Sequence, residues 1–250
     1  MKREKLSDYL KKYLKTDEFN DYCPNGLQVE GNEQINKIVT GVSASIELFE
    51  QSIREKADTI IVHHGMIWDN ERPIYQGAYK KRIYILLENN INLYAFHLPL
   101  DAHPEIGNNA QLAKLIGMNN LESFGEYKGQ NIGIKGEIDP ISKDHFFDKI
   151  ENIVNRKPLI FAYGPDKIKK VGIISGGAQK DIKQAVADNM DVYITGEVSE
   201  YNMHYAKEEQ IHFISAGHYA TEKFGIIALG NHLKKKFNIQ VTFIDIPNPV

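Results

Sequence analysis

The sequence is poor in cysteine, with Cys23 alone in 250 residues. That excludes an intramolecular disulfide and a cysteine-rich zinc site, and makes a reducing cytoplasm the expected location. No apolar run approaches the roughly 18 residues of a membrane span, so no membrane partner is expected. The chain also lacks a surplus of charge. Its 30 Lys and Arg against 33 Asp and Glu leave −3, too little to grip nucleic acid by surface charge alone. The opening stretch MKREKLSDYLKKYLK has no apolar segment behind its charges, so no secretory leader is expected. At 42% hydrophobic and 25% charged residues, the composition is that of a folded globular protein and excludes wholesale disorder. At about 150 residues per domain, the length suggests one large or two modest domains.

What the sequence does have is histidine: nine, at His63, His64, His97, His103, His145, His204, His212, His218 and His232. Histidine is the commonest metal ligand and titrates near neutral pH. With so little sulfur present, this points to nitrogen and oxygen metal chemistry or to acid–base chemistry.

The hydrophobic pattern predicts helix and strand in alternation. Leu6, Tyr9, Leu10, Tyr13 and Leu14 share one helical face. Gly26–Val29, Ile38–Val42, Thr59–Val62 and Leu93–Phe96 read as strands. Helices are expected over Ser45–Lys56 with Ser45 as N-cap, over Tyr79–Asn89, and over Asn108–Ile116. The texture changes near Gly125, where Gly129–Ile138 reads as a strand pair and Val154–Tyr163 as a helix end and a strand. Strands at Val171–Ile174, Val192–Ile194, His212–Ile214 and Val241–Ile244 then alternate with helices at Gln179–Asn189, Glu200–Glu209 and Thr221–Phe237. Such alternation implies βαβ units, an α/β class and a mainly parallel sheet. The expected domains are 1–125 and 126–250, with a final strand able to join either half.

In open α/β sheets, ligands bind beyond the C-terminal ends of the strands. Three predicted strands end in metal-type donors. Thr59–Val62 runs into His63-His64-Gly65. Adjacent residues on a strand face opposite ways, so two histidines in one cavity require a break there or two separate addresses. The strand ending at Phe96 runs into His97-Leu98-Pro99-Leu100-Asp101. The strand at Phe213-Ile214 runs into Ala216-Gly217-His218-Tyr219-Ala220-Thr221-Glu222, where His218 and Glu222 share a face if the helix has begun. Each cluster alone also reads as ordinary loop, turn or helix-start polarity. Together, His63, His64, Asp101, His218 and Glu222 form a donor set suited to two divalent ions, with a bridging carboxylate and water completing the shells. Imidazole and carboxylate suit Zn, Fe or Mn. Ser175-Gly176-Gly177 reads as a tight turn or as an anion-holding loop. Lys234-Lys235-Lys236 reads as a solvated helix end. His204 and Glu197 read as surface residues or as groups behind a ligand.

Taken in order, several segments identify a family. They are Asn25-Gly26-Leu27-Gln28-Val29, Ile61-Val62-His63-His64-Gly65, the run from Ile91 through His97-Leu98-Pro99-Leu100-Asp101-Ala102-His103-Pro104, Gly107-Asn108-Asn109, Ile194-Thr195-Gly196-Glu197, Ala216-Gly217-His218-Tyr219-Ala220-Thr221-Glu222, and Phe243-Ile244-Asp245-Ile246-Pro247-Asn248-Pro249. With them the chain resembles, nearly end to end, the NGG-interacting-factor-three family, whose members are often called GTP cyclohydrolase 1 type 2 homologues. The resemblance implies two interlocked α/β domains with largely parallel or mixed sheets and a metal site in the cleft between them. It implies one ion on His63 and Asp101, another on His64 and His218, and Glu222 bridging. It also implies a homohexamer.

The activity expected is metal-dependent hydrolysis of a nucleotide or related small molecule, with cyclohydrolase chemistry as one form. His97 is the candidate acid–base group, or a partner that orients a ligand. The alternatives are a metal-stabilised oligomeric scaffold for a protein or nucleic-acid partner, and a metal chaperone or sensor.

Overall fold

The computed structural model describes residues 1–69, 71–72 and 74–250. In chain order its elements are α1 (Arg3–Tyr13), β1 (Gly26–Val29), β2 (Lys37–Ser43), α2 (Ile46–Arg54), β3 (Thr59–His64), α3 (Gly77–Glu88), β4 (Asn92–Ala95), α4 (Leu98–Asp101), α5 (Asn108–Ile116), β5 (Asn119–Tyr127), β6 (Gln130–Ser142), α6 (Lys143–Val154), β7 (Leu159–Ala162), β8 (Lys167–Ile173), α7 (Ile182–Ala187), β9 (Val192–Thr195), α8 (Tyr201–Glu208), β10 (His212–Ser215), α9 (His218–Phe237) and β11 (Gln240–Phe243). The chain divides into unit 1, Met1–Ile106 with Gly225–Pro247, and unit 2, Gly107–Phe224 with Asn248–Val250. The division falls inside α9, whose first turns belong to unit 2 and whose remainder belongs to unit 1.

Unit 1 is built on a five-stranded sheet in the order β1-β4-β3-β2-β11. The four strands from β4 to β11 are parallel, and β1 closes the edge antiparallel to β4. The β-branched run Thr59-Ile60-Ile61-Val62 is fully buried, as a strand covered on both faces requires. Ile60 and Val62 pack with Val39, Leu48, Phe49, Leu86 and Leu93, and each such buried side chain stabilises by about 1.5–3 kcal/mol. Ser45 caps α2 as expected, its Oγ accepting from Leu48 N at 3.1 Å.

Unit 2 carries a six-stranded mixed sheet in the order β5-β6-β8-β9-β10-β7. Only the steps β8 to β9 and β9 to β10 are parallel. Alternate residues serve its two faces. Val192, Ile194 and Ile214 pack with Leu112, Phe146 and Ile150 on one side. Tyr193 and Phe213 pack with Ile182, Ala185 and Ala206 on the other.

Several elements depart from the sequence reading. The hairpin of β5 and β6 begins at Asn119, earlier than the glycine texture suggests, and turns through Lys128 and Gly129, both at positive φ. A full helix, α6, runs up to and includes Val154. Its apolar spacing at Phe146, Ile150 and Val154 is interleaved with charge, and Ser142 caps it. The expected helix over Gln179–Asn189 is a 3-10 turn at Gln179–Asp181 followed by the short α7. Helix α9 starts at His218 rather than Thr221. Gly217 at φ +98° turns the chain into it, and Thr221 Oγ1 donates back to Gly217 O at 2.9 Å.

Candidate metal and acid–base site

In unit 1, β3 continues through both histidines, so the break considered from the sequence does not occur at His63. His63 is fully buried. Its Nδ1 donates to the Phe96 carbonyl at 2.9 Å, which turns Nε2 toward Asp101, 3.5 Å from Oδ2. His64 sits at the strand's end with Nδ1 3.0 Å from Ser43 Oγ, its register partner on β2. The two rings lie with centroids 4.6 Å apart, so the chain's end position brings them together despite the pleat. Gly65 then admits no side chain, since a Cβ there would collide with Gln28 and Ala95.

After β4, His97 precedes the single turn α4, with Pro99 in its first turn and the buried Asp101 at its end. The His97 ring lies 5.1 Å from that of His63 and 5.7 Å from that of His64, centroid to centroid. One ligand-type atom from each of the three lies within 4.8 Å of the others, a grouping that could hold a metal ion.

A polar hub lies behind His97. Its Nδ1 donates to Asp21 Oδ1 at 2.9 Å, and its backbone N–H donates to Asn25 Oδ1 at 2.8 Å. Asp21 also accepts from Asn25 Nδ2, Leu98 N and Tyr22 N. Burial raises the Asp21 pKa, but the bond and charge of His97, with the other donors, outweigh it and hold the carboxyl below its usual range. The same carboxylate helps to push the buried Cys23 thiol upward, after burial itself, so Cys23 is held as an unreactive thiol. With Nδ1 committed, His97 presents Nε2, 3.4 Å from the Tyr22 hydroxyl and edge-on to Trp68. The sequence reading gave no site role to Asp21, Tyr22 or Asn25, although Asn25 opens one of the family segments. Their local signal was a polar turn before β1, with Asp and Asn four apart.

In unit 2, three strands end at one place. After β10, His218 opens α9, and Glu222 follows one turn on, 3% exposed. His218 Nδ1 donates to Glu197 Oε1 at 2.7 Å, and Nε2 lies 3.0 Å from Glu222 Oε2, close enough for an ion pair. Burial opposes the charge on His218, but the bonds and charges of Glu222 and Glu197 outweigh it and lift the pKa to about 9. The turn Ser175-Gly176-Gly177 does not present its central N–H to an anion, because Gly176 N donates to Thr221 Oγ1 at 3.0 Å. Gly176 instead gives Glu222 its room. At φ +68° it lies so near that a Cβ would collide with the carboxylate.

Other histidines have different work. His212 is buried, accepting from Gly164 N and donating to Pro165 O. His103 accepts from Glu105 and Ile106 N–H groups in its own turn, and His232 stacks on Tyr13. His204 lies 3.7 Å from Glu200 on an exposed helix face.

The chain matches the family profile Duf34/NIF3 (NGG1p interacting factor 3) over residues 1–249. It is 49% identical over 251 residues to a Haemophilus influenzae protein named GTP cyclohydrolase 1 type 2 homolog, covering all of both chains. A solved structure described as protein ybgI, of unknown function, superposes with a TM-score of 0.95 at 45% identity, again over all of both chains. TTHA1606 from Thermus thermophilus superposes with a TM-score of 0.92 at 33% identity and full coverage. The chain therefore belongs to the Duf34/NIF3 family.

Proposed function

We propose that this Duf34/NIF3 protein is a metal-dependent hydrolase acting on a nucleotide or related small molecule, with two divalent ions (Zn, Fe or Mn) on His63, His64, Asp101, His218 and Glu222. In this reading His63 and Asp101 would hold one ion and His64 and His218 the other, with Glu222 available to both. The observation that carries it is the setting of three imidazoles. His63, His64 and His218 each turn Nδ1 to an oxygen of the protein, at Phe96, Ser43 and Glu197. With Nδ1 so engaged, Nε2 is the ring nitrogen each would offer to an ion, the arrangement by which proteins orient histidine toward a metal. The buried carboxylates of Asp101 and Glu222 lie beside two of those Nε2 atoms. Bound ions at such a centre supply Lewis acidity and lower the pKa of water.

The chain's own residues supply the rest. Asp21 fixes Nδ1 of His97 as the protonated nitrogen, so Nε2, beside the Tyr22 hydroxyl, is the nitrogen that would take a proton from water and return it to a leaving group. Tyr22 and Trp68 form an aromatic wall on that side, limiting access of bulk water to Nε2. The names of its relatives make GTP the first substrate to assay.

The test is elemental analysis of untagged protein, wild type beside a folded His218→Ala/Glu222→Ala variant, followed by nucleotide turnover with the metal found. About two equivalents in the wild type, lost in the variant together with turnover, supports the proposal. Absence of metal in both, with no uptake on reconstitution, overturns it. The same resemblance carries the homohexamer, which light scattering would read as six times the 28.5 kDa chain.

A further inference from the structure

Unit 2 has a groove whose charge the site above does not use. It encloses about 660 Å³ and is lined by Arg156, Lys157, Glu197, Ser215 and Gly217, among others. Its position follows from the end of α6. Asn155 adopts the left-handed conformation at φ 54°, and the chain turns sharply to deliver Arg156 and Lys157 past the helix. The Arg156 guanidinium lies on the backbone of Gly217, so closely that a Cβ there would collide with Nη1. Gly217 is thus required both by its φ of +98° and by this approach.

The guanidinium is half-buried, and its Nη1 is buried with no hydrogen-bond partner in the protein. No ion pair joins Arg156 or Lys157 to a carboxylate among the described residues. Of the two groove residues able to carry negative charge, Glu197 is already bonded to His218 Nδ1, and the last residue, Val250, accepts from Tyr219 N at 3.0 Å. A fixed positive charge partly removed from water, with one buried donor unmet, is costly unless an anion completes it. Two adjacent cations suit a multiply charged oxyanion, and the fork of a guanidinium fits phosphate oxygens bidentately. The groove is larger than a single phosphate needs. It also shares Gly217 and Glu197 with the elements that hold His218.

We propose that this groove binds the phosphate or polyphosphate group of the substrate through Arg156 and Lys157. The hydrolase reading supplies the identity of the ligand as a substrate; the binding of a phosphoryl anion stands on the groove alone.

The experiment is calorimetric titration of inorganic pyrophosphate into chelator-treated full chain, as wild type, Arg156→Gln, Arg156→Lys and Lys157→Gln, with metal content measured on each preparation before chelation. The wild type is expected to bind stoichiometrically and more weakly as salt rises. Arg156→Gln weakens binding by about tenfold or more, the loss expected for charge-assisted hydrogen bonds, and Arg156→Lys recovers part of it. Lys157→Gln, on an exposed side chain, weakens it about threefold and carries the test should Arg156→Gln not fold. No binding by the wild type, or equal affinity in the folded variants, overturns the proposal. A failure of the hydrolase reading is separate: it shows as absent metal in the first measurement while pyrophosphate binding persists.

Discussion

The two units prepare their donor groups by different means. In unit 1, imidazoles arrive on strand ends, and the backbone does much of the orienting: a carbonyl sets His63, and main-chain N–H groups fill Asp21 behind His97. In unit 2 the donors lie one turn apart on a helix, and other side chains orient them: Glu197 and Glu222 bracket His218, with a glycine turn clearing space for the carboxylate. A site set by the backbone is hard to alter by substitution. A site set by side chains is easily altered and is sensitive to charge. Substitutions in unit 2 should therefore cost more than those in unit 1.

The largest effect is expected for Glu222→Ala. It removes the proposed bridging carboxylate, and turnover should fall by about 100-fold or more, with metal content reduced. Turnover and elemental analysis of a folded variant check this; wild-type activity without metal would break the comparison. Gly176→Ala comes next. The added methyl meets the Glu222 carboxylate at a backbone conformation that L residues rarely adopt, so the variant should lose on the order of 1–3 kcal/mol of stability in urea unfolding.

The pH dependence of chelator-treated protein should show the two units at opposite limbs. The folded pKa of His218, about 9, lies above its unfolded value, so its contribution is full below about pH 6.5 and is lost as pH rises through about 9. Asp21 is shifted down, so its contribution is present above about pH 3.8 and is lost as pH falls through the lower folded value. Tm measured across pH should lose its alkaline decline in Glu222→Gln and soften its acid decline in Asp21→Asn. The smallest effect belongs to Ser43→Ala, which removes the oxygen beside Nδ1 of His64 at an exposed bond. Metal affinity should drop about tenfold or less, read by competition with a chromogenic chelator.

Much of this was legible in the sequence because strand ends are legible. The β-branched run before His63, the apolar run before His97 and the strand before Gly217 all announce themselves, and their C-terminal ends are where α/β sheets place chemistry. What stayed hidden acts from elsewhere in the chain. Asp21 meets His97 across 76 positions; Glu197, read as a surface residue or a group behind a ligand, meets His218 across 21, and nothing in local spacing joins either pair. Helix α6, with Phe146, Ile150 and Val154 buried and Phe147 and Ile153 partly so, was passed over between the strand pair and the helix end read at Val154. Nothing in the sequence singles out Arg156, because only the fold lays it on Gly217.

The pairing of β11 with β2 has a consequence for how the protein is made. The two strands are joined in parallel, Val241 beside Ile38, across about two hundred residues. Until the ribosome has released β11, the outer edge of β2 has no partner, and a bare parallel edge invites pairing with another chain. Most of unit 2 is contiguous and is synthesised meanwhile, so it can fold before the sheet that precedes it is complete. Nascent chains stalled short of residue 240 should therefore be the aggregation-prone species, and chaperone demand should concentrate in that interval of synthesis.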